Sequence, residues 1–284
     1  MNFVFLLKTY TDARIRKISK ERIQAELDKR NIIIVAGFQG INSFGDVTTL
    51  GRGGSDTSAV ALAAAFHADL CQIYTDVDGV YTADPRVVPN AKKLPEITFA
   101  DMLELASQSA QVLHNRSVEL AKKYHVNMEV VSSLKNIPGT KVKEVIKLEK
   151  TNIGGVAKMD NFARFSLVGL EDCPGVAFKV FSLLSRHNVN VDIILQSVGR
   201  GGSKDISFTC PLSSLDDARR VLEENKDMLE YDSIEVDDNV AKISLVGAGM
   251  MTHVGVASDM FEALYDAGIN IQMIATSEIR ISVL

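Results

Sequence analysis

Within LGRGGSD, Leu50–Asp56, an arginine stands among Gly51, Gly53 and Gly54, with a serine and an aspartate directly behind them. Successive glycines let backbone N–H groups turn toward one point, and a helix N-terminus adds positive potential there. Arg52 contributes a planar fork suited to a carboxylate or a phosphate. The spacing describes an anion site opening an alanine-rich helix, SAVALAAA, with Ser55 or Asp56 as its cap. The familiar phosphate loops do not fit. A Walker A loop ends in Lys-Ser/Thr, and no lysine lies between Lys29 and Lys92; the spacing is not GxGxxG either. Taken alone, the glycines also suit a plain structural turn.

A second stretch, YTDVDGVYTADPR (Tyr74–Arg86), adds weight. It offers two carboxylates in a turn (Asp76, Asp78), a glycine for tight backbone geometry (Gly79), an aromatic ring (Tyr81) and a terminal Arg86 able to reach phosphate. A loop leaving a parallel strand at its carboxyl end lies on the rim where open α/β sheets bind ligands. The DVDG portion lacks the twelve-residue pattern and closing glutamate of a calcium loop.

The elements that must carry these loops alternate. NIIIVAGF (Asn31–Phe38) is an unbroken β-branched run, which predicts a strand buried on both faces of a parallel sheet. GINSFGDVTT is hairpin-like, and the helix after the glycine loop leads to the strand LCQIYT (Leu70–Thr75). Helices are expected over Thr98–Ala110, with Thr98 and Asp101 spaced as a capping box, and over Ser117–Tyr124. VNMEVVSS (Val126–Ser133) reads as another strand. This order implies right-handed crossovers and an α/β sheet covered by helices. PGTKVKEVIKLEKTN (Pro138–Asn152) opens with a turn, continues as a charged segment, and reads as the boundary of the first domain.

Beyond it lies an internal repeat. FSLVGLEDCPGVAFKVFSLLSRHNVNVDIILQS (Phe165–Ser197) aligns with ISLVGAGMMTHVGVASDMFEALYDAGINIQMIATS (Ile243–Ser277). Each has a SLVG strand, a loop, Gly-Val opening a helix (Gly175, Gly255) and matched phenylalanines (Phe181, Phe261). Such self-similarity marks two copies of one β-α-β unit. The first copy continues through a strand at Lys204–Thr209, a helix at Ser214–Asn225 and a strand near Ser233–Val236, a complete βαββαβ unit of ferredoxin-like type. The second ends just after its third strand.

Bulk properties narrow the function. With 284 residues, 46% apolar and 24% charged, the chain can bury a sizeable core and is not disordered. A formal charge of −5 argues against nucleic-acid binding. The opening MNFVFLL is too short for a signal peptide and no stretch is long enough to span a bilayer, so a soluble, cytoplasmic protein without membrane partners is expected. Cys71, Cys173 and Cys210 match no metal spacing and read as small buried hydrophobes in a reducing compartment. His67, His114, His125 and His187 show no ligand spacing and read as surface or packing residues.

The run NIIIVAGFQGINSFGDVTTLGRGGSDTSAVALAAAFHADLCQIYTDVDGVYTADPR closely resembles the amino-acid kinase fold, and specifically the aspartate kinases. ITFADMLELASQSAQVLHNRSVELAKKYHVNMEVVSS continues the likeness, and the C-terminal repeat resembles the paired ACT regulatory domains of that family. The likeness runs from about Ala13 onward. It implies an α/β fold: an amino-acid-kinase sheet sandwiched by helices over 1–145, a ferredoxin-like ACT domain over 151–236, and a second, incomplete one over 237–284.

The resemblance also implies an activity: transfer of the γ-phosphoryl group of MgATP to the side-chain carboxylate of L-aspartate. By matching positions, Arg52 binds a substrate carboxylate, Gly53, Gly54 and Ser55 line the same pocket, and Asp56 is the catalytic-site aspartate. Thr75, Asp76, Tyr81, Arg86, Gln111 and Val112 match ATP-binding positions, although the family often has lysine at Gln111 and proline at Asn115. Mg2+ is held mainly through the nucleotide phosphates, with no protein metal site. Asp172, Asn190, Val191, Asp192 and Gln196 match effector positions in the first ACT domain. In the second, His253, Gly255, Val256, Asn270, Ile271 and Glu278 do so, with His-Val-Gly in place of the usual His-Pro-Gly. For Val191, Val256 and Ile271 ordinary packing is an equal reading. Lysine, threonine or both are the implied effectors, and a homo-oligomer through ACT sheet edges is the implied assembly.

The family's N-terminal Lys-Phe-Gly-Gly segment is not found in this sequence, and Lys8 stands in the wrong context to replace it. The sequence joins the family pattern near Thr11–Asp12. The expectation is a chain incomplete at both ends and inactive by itself. A non-catalytic regulatory subunit is the alternative, but such a chain has no reason to keep both GRGGSD and TDVDGVYTADPR.

Overall fold

The computed structural model describes residues 4–6, 11, 13–108, 112–144, 153–197, 202–247, 250 and 255–284. Contacts divide the chain into two compact units. The first is Met1–Ala157 with Leu245–Val254 and Glu278–Arg280; the second is Lys158–Ser244 with Gly255–Ser277 and Ile281–Leu284.

The first unit holds two four-stranded sheets. One is ordered β2-β1-β3-β4, from β1 (Val4–Leu6), β2 (Ile15–Ile18), β3 (Gln39–Ile41) and β4 (Val47–Thr49). Helix α1 (Glu21–Asp28) follows β2, and β3 and β4 form the expected hairpin. The other sheet is ordered β5-β7-β8-β6, from β5 (Cys71–Thr75), β6 (Glu96–Thr98), β7 (Met128–Ser132) and β8 (Thr140–Lys143). Its β5 and β7 are parallel, in register from Cys71 opposite Met128 to Thr75 opposite Ser132. Helices α2 (Gly54–Phe66), α3 (Phe99–Ser107) and α4 (Asn115–Tyr124) bury Val60, Met102, Leu105 and Val118 against Ile73, Ile97 and Val130. The α3 cap is as its sequence specifies: the Thr98 hydroxyl accepts the Asp101 N–H at 3.0 Å.

Three local expectations differ from the structure. Asn31–Phe38 forms no strand: Ile32 and Ile34 are 96% and 95% exposed, and only Gln39–Ile41 enters a ladder. A β-branched run becomes a buried parallel strand only where neighbours cover its edges and faces, and among the described residues none does. The cap of α2 is neither Ser55 nor Asp56 but Gly53, left-handed at φ 69°, with no side-chain cap bond. Glycine adopts that conformation without strain, so the chain turns into the helix two residues earlier than a side-chain cap would allow. Thr140–Lys143, read as part of a boundary segment, is strand β8; residues 145–152 lie outside the described ones.

The second unit is built on a six-stranded sheet ordered β10-β11-β9-β12-β14-β13. Its strands are β9 (Gly155–Glu171), β10 (Ile194–Gln196), β11 (Ser203–Pro211), β12 (Ser233–Val246), β13 (Ile274–Thr276) and β14 (Arg280–Val283). Helices α5 (Val176–Arg186), α6 (Leu215–Glu224), α7 (Lys226–Leu229) and α8 (Val256–Asp266) complete it. The first repeat packs Val180, Leu184, Val221 and Leu222 of its helices on Phe165, Leu167 and Phe208. The Phe165 and Phe208 rings stack at 5.3 Å, and Phe181 meets Phe208 edge-on at 5.8 Å.

One strand serves both repeats. The last strand of the first copy and the first strand of the second, read separately in the sequence, are the single strand β12. It lies beside β9 in antiparallel fashion: Gly154 N–H bonds to Val246 O at one end, and Asp232 N–H to Val168 O at the other. The first half of β9 therefore runs beside the second half of β12, where a ferredoxin-like unit places its closing strand. The second repeat's sheet thus has four neighbouring strands although its own segment supplies three.

Candidate functional site

The glycine loop joins β4 to α2. Arg52 and Ser55 are exposed, and Gly54 is buried so closely that an added Cβ would lie 2.8 Å from the Leu50 side chain and 2.9 Å from the Phe38 ring. Hydroxyls of the first helical turn lock the loop. Ser58 Oγ donates to Gly54 O at 2.8 Å and accepts from Phe38 N–H at 3.0 Å, and Thr57 Oγ1 donates to Gly53 O at 3.2 Å. Asp56 is half-buried. Burial pushes its carboxyl above the ordinary range, partly offset by a hydrogen bond from the His114 backbone and by the His114 charge.

The second loop starts where β5 ends. Thr75 Oγ1 donates to the Asp76 carboxylate at 3.0 Å, and Asp76 is exposed. Asp78 accepts the Tyr81 hydroxyl at 2.8 Å and faces Lys135 Nζ at 3.6 Å; these two hold its carboxyl below the usual range. Arg86 forks onto Asp84 at 3.0 and 2.8 Å, and its side chain is 87% exposed. Along the face of the parallel pair β5 and β7, beneath the segment that leaves β7, opens a cavity of about 310 Å³ lined by Gln72, Tyr74, Glu129, Ser132 and Lys135 among others, with Thr75, Asp76, Tyr81 and Arg86 outside its lining. The rim where such sheets bind ligands, at the carboxyl end of β5, is instead the place of Thr75 and Asp76. Ser133, whose hydroxyl and N–H both donate to Thr75 O, and Lys135 were not singled out in the sequence. Their signal was SSLKN standing directly after a strand.

Thr75, Asp76, Tyr81 and Arg86 therefore share one loop, and Arg52–Asp56 share another, both in the first unit. Val112 is half-buried and packs on the core, and Gln111 lies outside the described residues. Among the described residues no group of three His, Cys, Asp or Glu side chains gathers to hold a metal ion. Asp76, an exposed carboxylate at a strand's carboxyl end, fits a nucleotide-borne Mg2+; Asp78 is already engaged.

In the second unit the mouths of α5 and α8 match: Gly175 and Gly255 are their caps, at φ 95° and 111°, each with open space around it. Asp172 is ion-paired with Lys204, and Asp192 with Lys242. Asn190, Gln196, Asn270 and Glu278 are exposed. Val191 packs on the core, Val256 is buried, and Ile271 is half-buried; His253 lies outside the described residues. No described helix is long and apolar enough to cross a membrane.

The amino acid kinase family model matches residues 2–132, and an ACT domain model matches 165–225 and 243–284. An aspartate kinase of Pseudomonas putida is 48% identical over 277 residues, 97% of this chain and 67% of that protein. Solved structures agree. The aspartate kinase of Clostridium acetobutylicum superposes with a TM-score of 0.84 at 28% identity, over 99% of this chain and 65% of its own. E. coli aspartokinase III in complex with aspartate and ADP gives 0.80 at 29%, over 99% and 64%. The chain spans about two thirds of the length of these relatives. With both halves of the pattern matched in one sequence and in one order, the chain belongs to the aspartate kinase family.

Proposed function

We propose that this chain carries the aspartate kinase reaction's anion loop and nucleotide rim, joined to an effector-binding ACT pair. The carrying observation is the glycine loop, with exposed Arg52 and Ser55 and half-buried Asp56 on the first turn of α2, in the same unit as Asp76 at the end of β5. The E. coli relative solved with aspartate and ADP supports the same pair of ligands.

In the reaction, a side-chain carboxylate oxygen of L-aspartate attacks the γ-phosphorus of ATP, the bond to the β–γ bridging oxygen breaks, and ADP departs. Such transfers depend on positioning and charge neutralisation. Arg52 orients a carboxylate of the substrate through its planar fork. Backbone N–H groups of Gly53 and Ser55 receive negative charge at the helix start, Gly54 lines the same pocket with its N–H bonded to Gly51 O, and Asp56 orders the groups around them. Thr75, Asp76, Tyr81, Arg86, Gln111 and Val112 hold the nucleotide. Mg2+ would neutralise charge on the phosphates and would be held mainly through them, with the exposed Asp76 carboxylate nearby as the residue that could face it.

Lysine or threonine binds at the mouths of α5 and α8, its carboxylate toward the helix start. Asp172, Asn190, Asp192 and Gln196 in the first domain, and His253, Gly255, Asn270 and Glu278 in the second, are the residues the family resemblance assigns to the effector. Edge strands β10 and β13 pair ACT sheets across chains into a homo-oligomer, which hides unpaired edges. The chain works in the cytoplasm.

The test is calorimetric titration with MgADP and L-aspartate, followed by aspartyl-hydroxamate formation from MgATP, aspartate and hydroxylamine. Wild type binds aspartate, and Arg52→Ala loses at least about tenfold in affinity, as removal of a charged hydrogen-bonding partner should cost. Hydroxamate stays at the blank for this chain alone, because the sequence holds no Lys-Phe-Gly-Gly segment and Lys8 stands in the wrong context to serve the transferring phosphoryl group. Aspartate affinity unchanged by Arg52→Ala would overturn the assignment of the anion loop.

A further inference from the structure

Helix α4 begins against the glycine loop. His114, its cap, presses its side chain on Gly53: a Cβ added to Gly53 would lie 2.4 Å from His114 Cβ and Cγ and 2.7 Å from Cδ2. The His114 backbone also lies close enough to the Asp56 carboxyl to favour its charged form. Two residues on, the Arg116 guanidinium donates to Leu50 O at 3.2 Å and to Ala13 O at 2.8 Å, holding the residue that leads into the loop. His114 Nδ1 is buried and meets no hydrogen-bonding partner among the described residues. An imidazole placed this way acts through its shape.

We infer that His114 is a positioning residue for the glycine loop. Its ring is a wedge that keeps Gly53 left-handed, so that the first turn of α2, with the Asp56 carboxylate on it, keeps one geometry. The inference rests on the aspartate kinase reading for the purpose of that geometry, though the wedge itself is a property of the fold. Glycines lose more conformational freedom on ordering than any other residue, so a loop with three of them needs an outside part to hold it. Pre-organisation of this kind reduces what a ligand must order when it binds. A histidine is suited to the task because its ring is flat and short enough to lie on a glycine where no Cβ intervenes.

The test uses the full chain with His114→Ala and His114→Phe. Amide hydrogen exchange is read at Gly54 and Thr57, whose N–H groups bond to Gly51 O and Gly53 O at 3.0 and 3.2 Å. His114→Ala speeds exchange at both by about tenfold, with β5 and β7 amides unchanged, the signature of a local opening. The same variant weakens L-aspartate binding by about tenfold, and His114→Phe, which keeps a ring without nitrogens, restores both. Exchange at Gly54 and Thr57 unaltered in His114→Ala would overturn the wedge. So would a His114→Phe chain as loose as His114→Ala, which would move the role to the ring nitrogens. If wild type binds no aspartate while exchange follows the expected order, the kinase reading falls and the wedge stands, because exchange needs no ligand.

Discussion

Lys242, on the strand that both repeats share, is buried with its ammonium against the Asp192 carboxylate and 4.7 Å from the centre of the Phe162 ring. Asp192 begins the approach to β10 in the first repeat, so the pair ties the first repeat's edge to β12. The corresponding place in the second repeat uses different chemistry: Gln272 donates to Asp237 at 3.1 Å, and the charge of Arg164 faces Asp237 as well. Asp192, matched by resemblance to an effector contact, thus has a structural cation of its own.

Removing one partner of a buried pair strands the other. Asp192→Ala should cost about 3 kcal/mol, the lower end of what such losses produce, since the Asp192 side chain keeps some water contact. Lys242→Met, which replaces the cation by an apolar side chain of similar length over Phe162, should cost about 1 kcal/mol or less. Urea unfolding midpoints of the two variants check the ranking. Equal losses would mean that the charge pair contributes little beyond packing.

Asp56 sets a stability that depends on pH. Burial raises its carboxyl in the folded chain, so the folded state binds a proton more readily than the unfolded one. The contribution is fully present below the unfolded value, about 4, and is lost as pH rises through the raised folded value. Asp56→Asn should therefore unfold at higher urea than wild type at about pH 7, with the difference vanishing near about pH 3.5.

The cysteines should separate by reactivity. Burial pushes the Cys71 thiol up to about 11, with the Asp56 charge adding to it, and burial alone pushes Cys210 up to about 11. At about pH 8 only about one in a thousand of either is thiolate, the reactive form. Cys173 is half-buried. Iodoacetamide followed by peptide mass spectrometry should find Cys173 labelled first in the folded chain, with Cys71 and Cys210 labelled only after denaturation.

Two glycines should respond differently to a methyl group. At Gly139 a Cβ would lie 1.9 Å from Val130 O and 2.8 Å from Val131 Cγ1, atoms of β7 that cannot move freely. Gly139→Ala should cost about 3 kcal/mol or more, the upper end for overpacking. At Gly45, φ is 87° and nothing lies within 4 Å, so Gly45→Ala should cost only the left-handed penalty of about 1 kcal/mol. Thermal midpoints distinguish the two.

The sequence by itself determined whatever depends on residues close along the chain. The hairpin before the glycine loop, the Thr98 cap, the α2 and α4 helices, strand β5 and the two-fold repeat all follow from periodicity, turn chemistry and capping. The chemical character of both loops was readable for the same reason: Arg52, Asp56 and Asp76 carry charge and stand at element ends. The tertiary structure alone decided what distant residues do to one another. The Asn31–Phe38 run is strand-like in composition yet stays out of every described ladder, because pairing needs a neighbour that no local pattern can supply. The start of α2 lies at Gly53, left-handed and with His114 against it, and β9 entered the second repeat's sheet because β12 runs through both. His114 read as a surface or packing residue in isolation; only the fold brings its ring onto Gly53, where a contact between remote segments sets the shape of the loop.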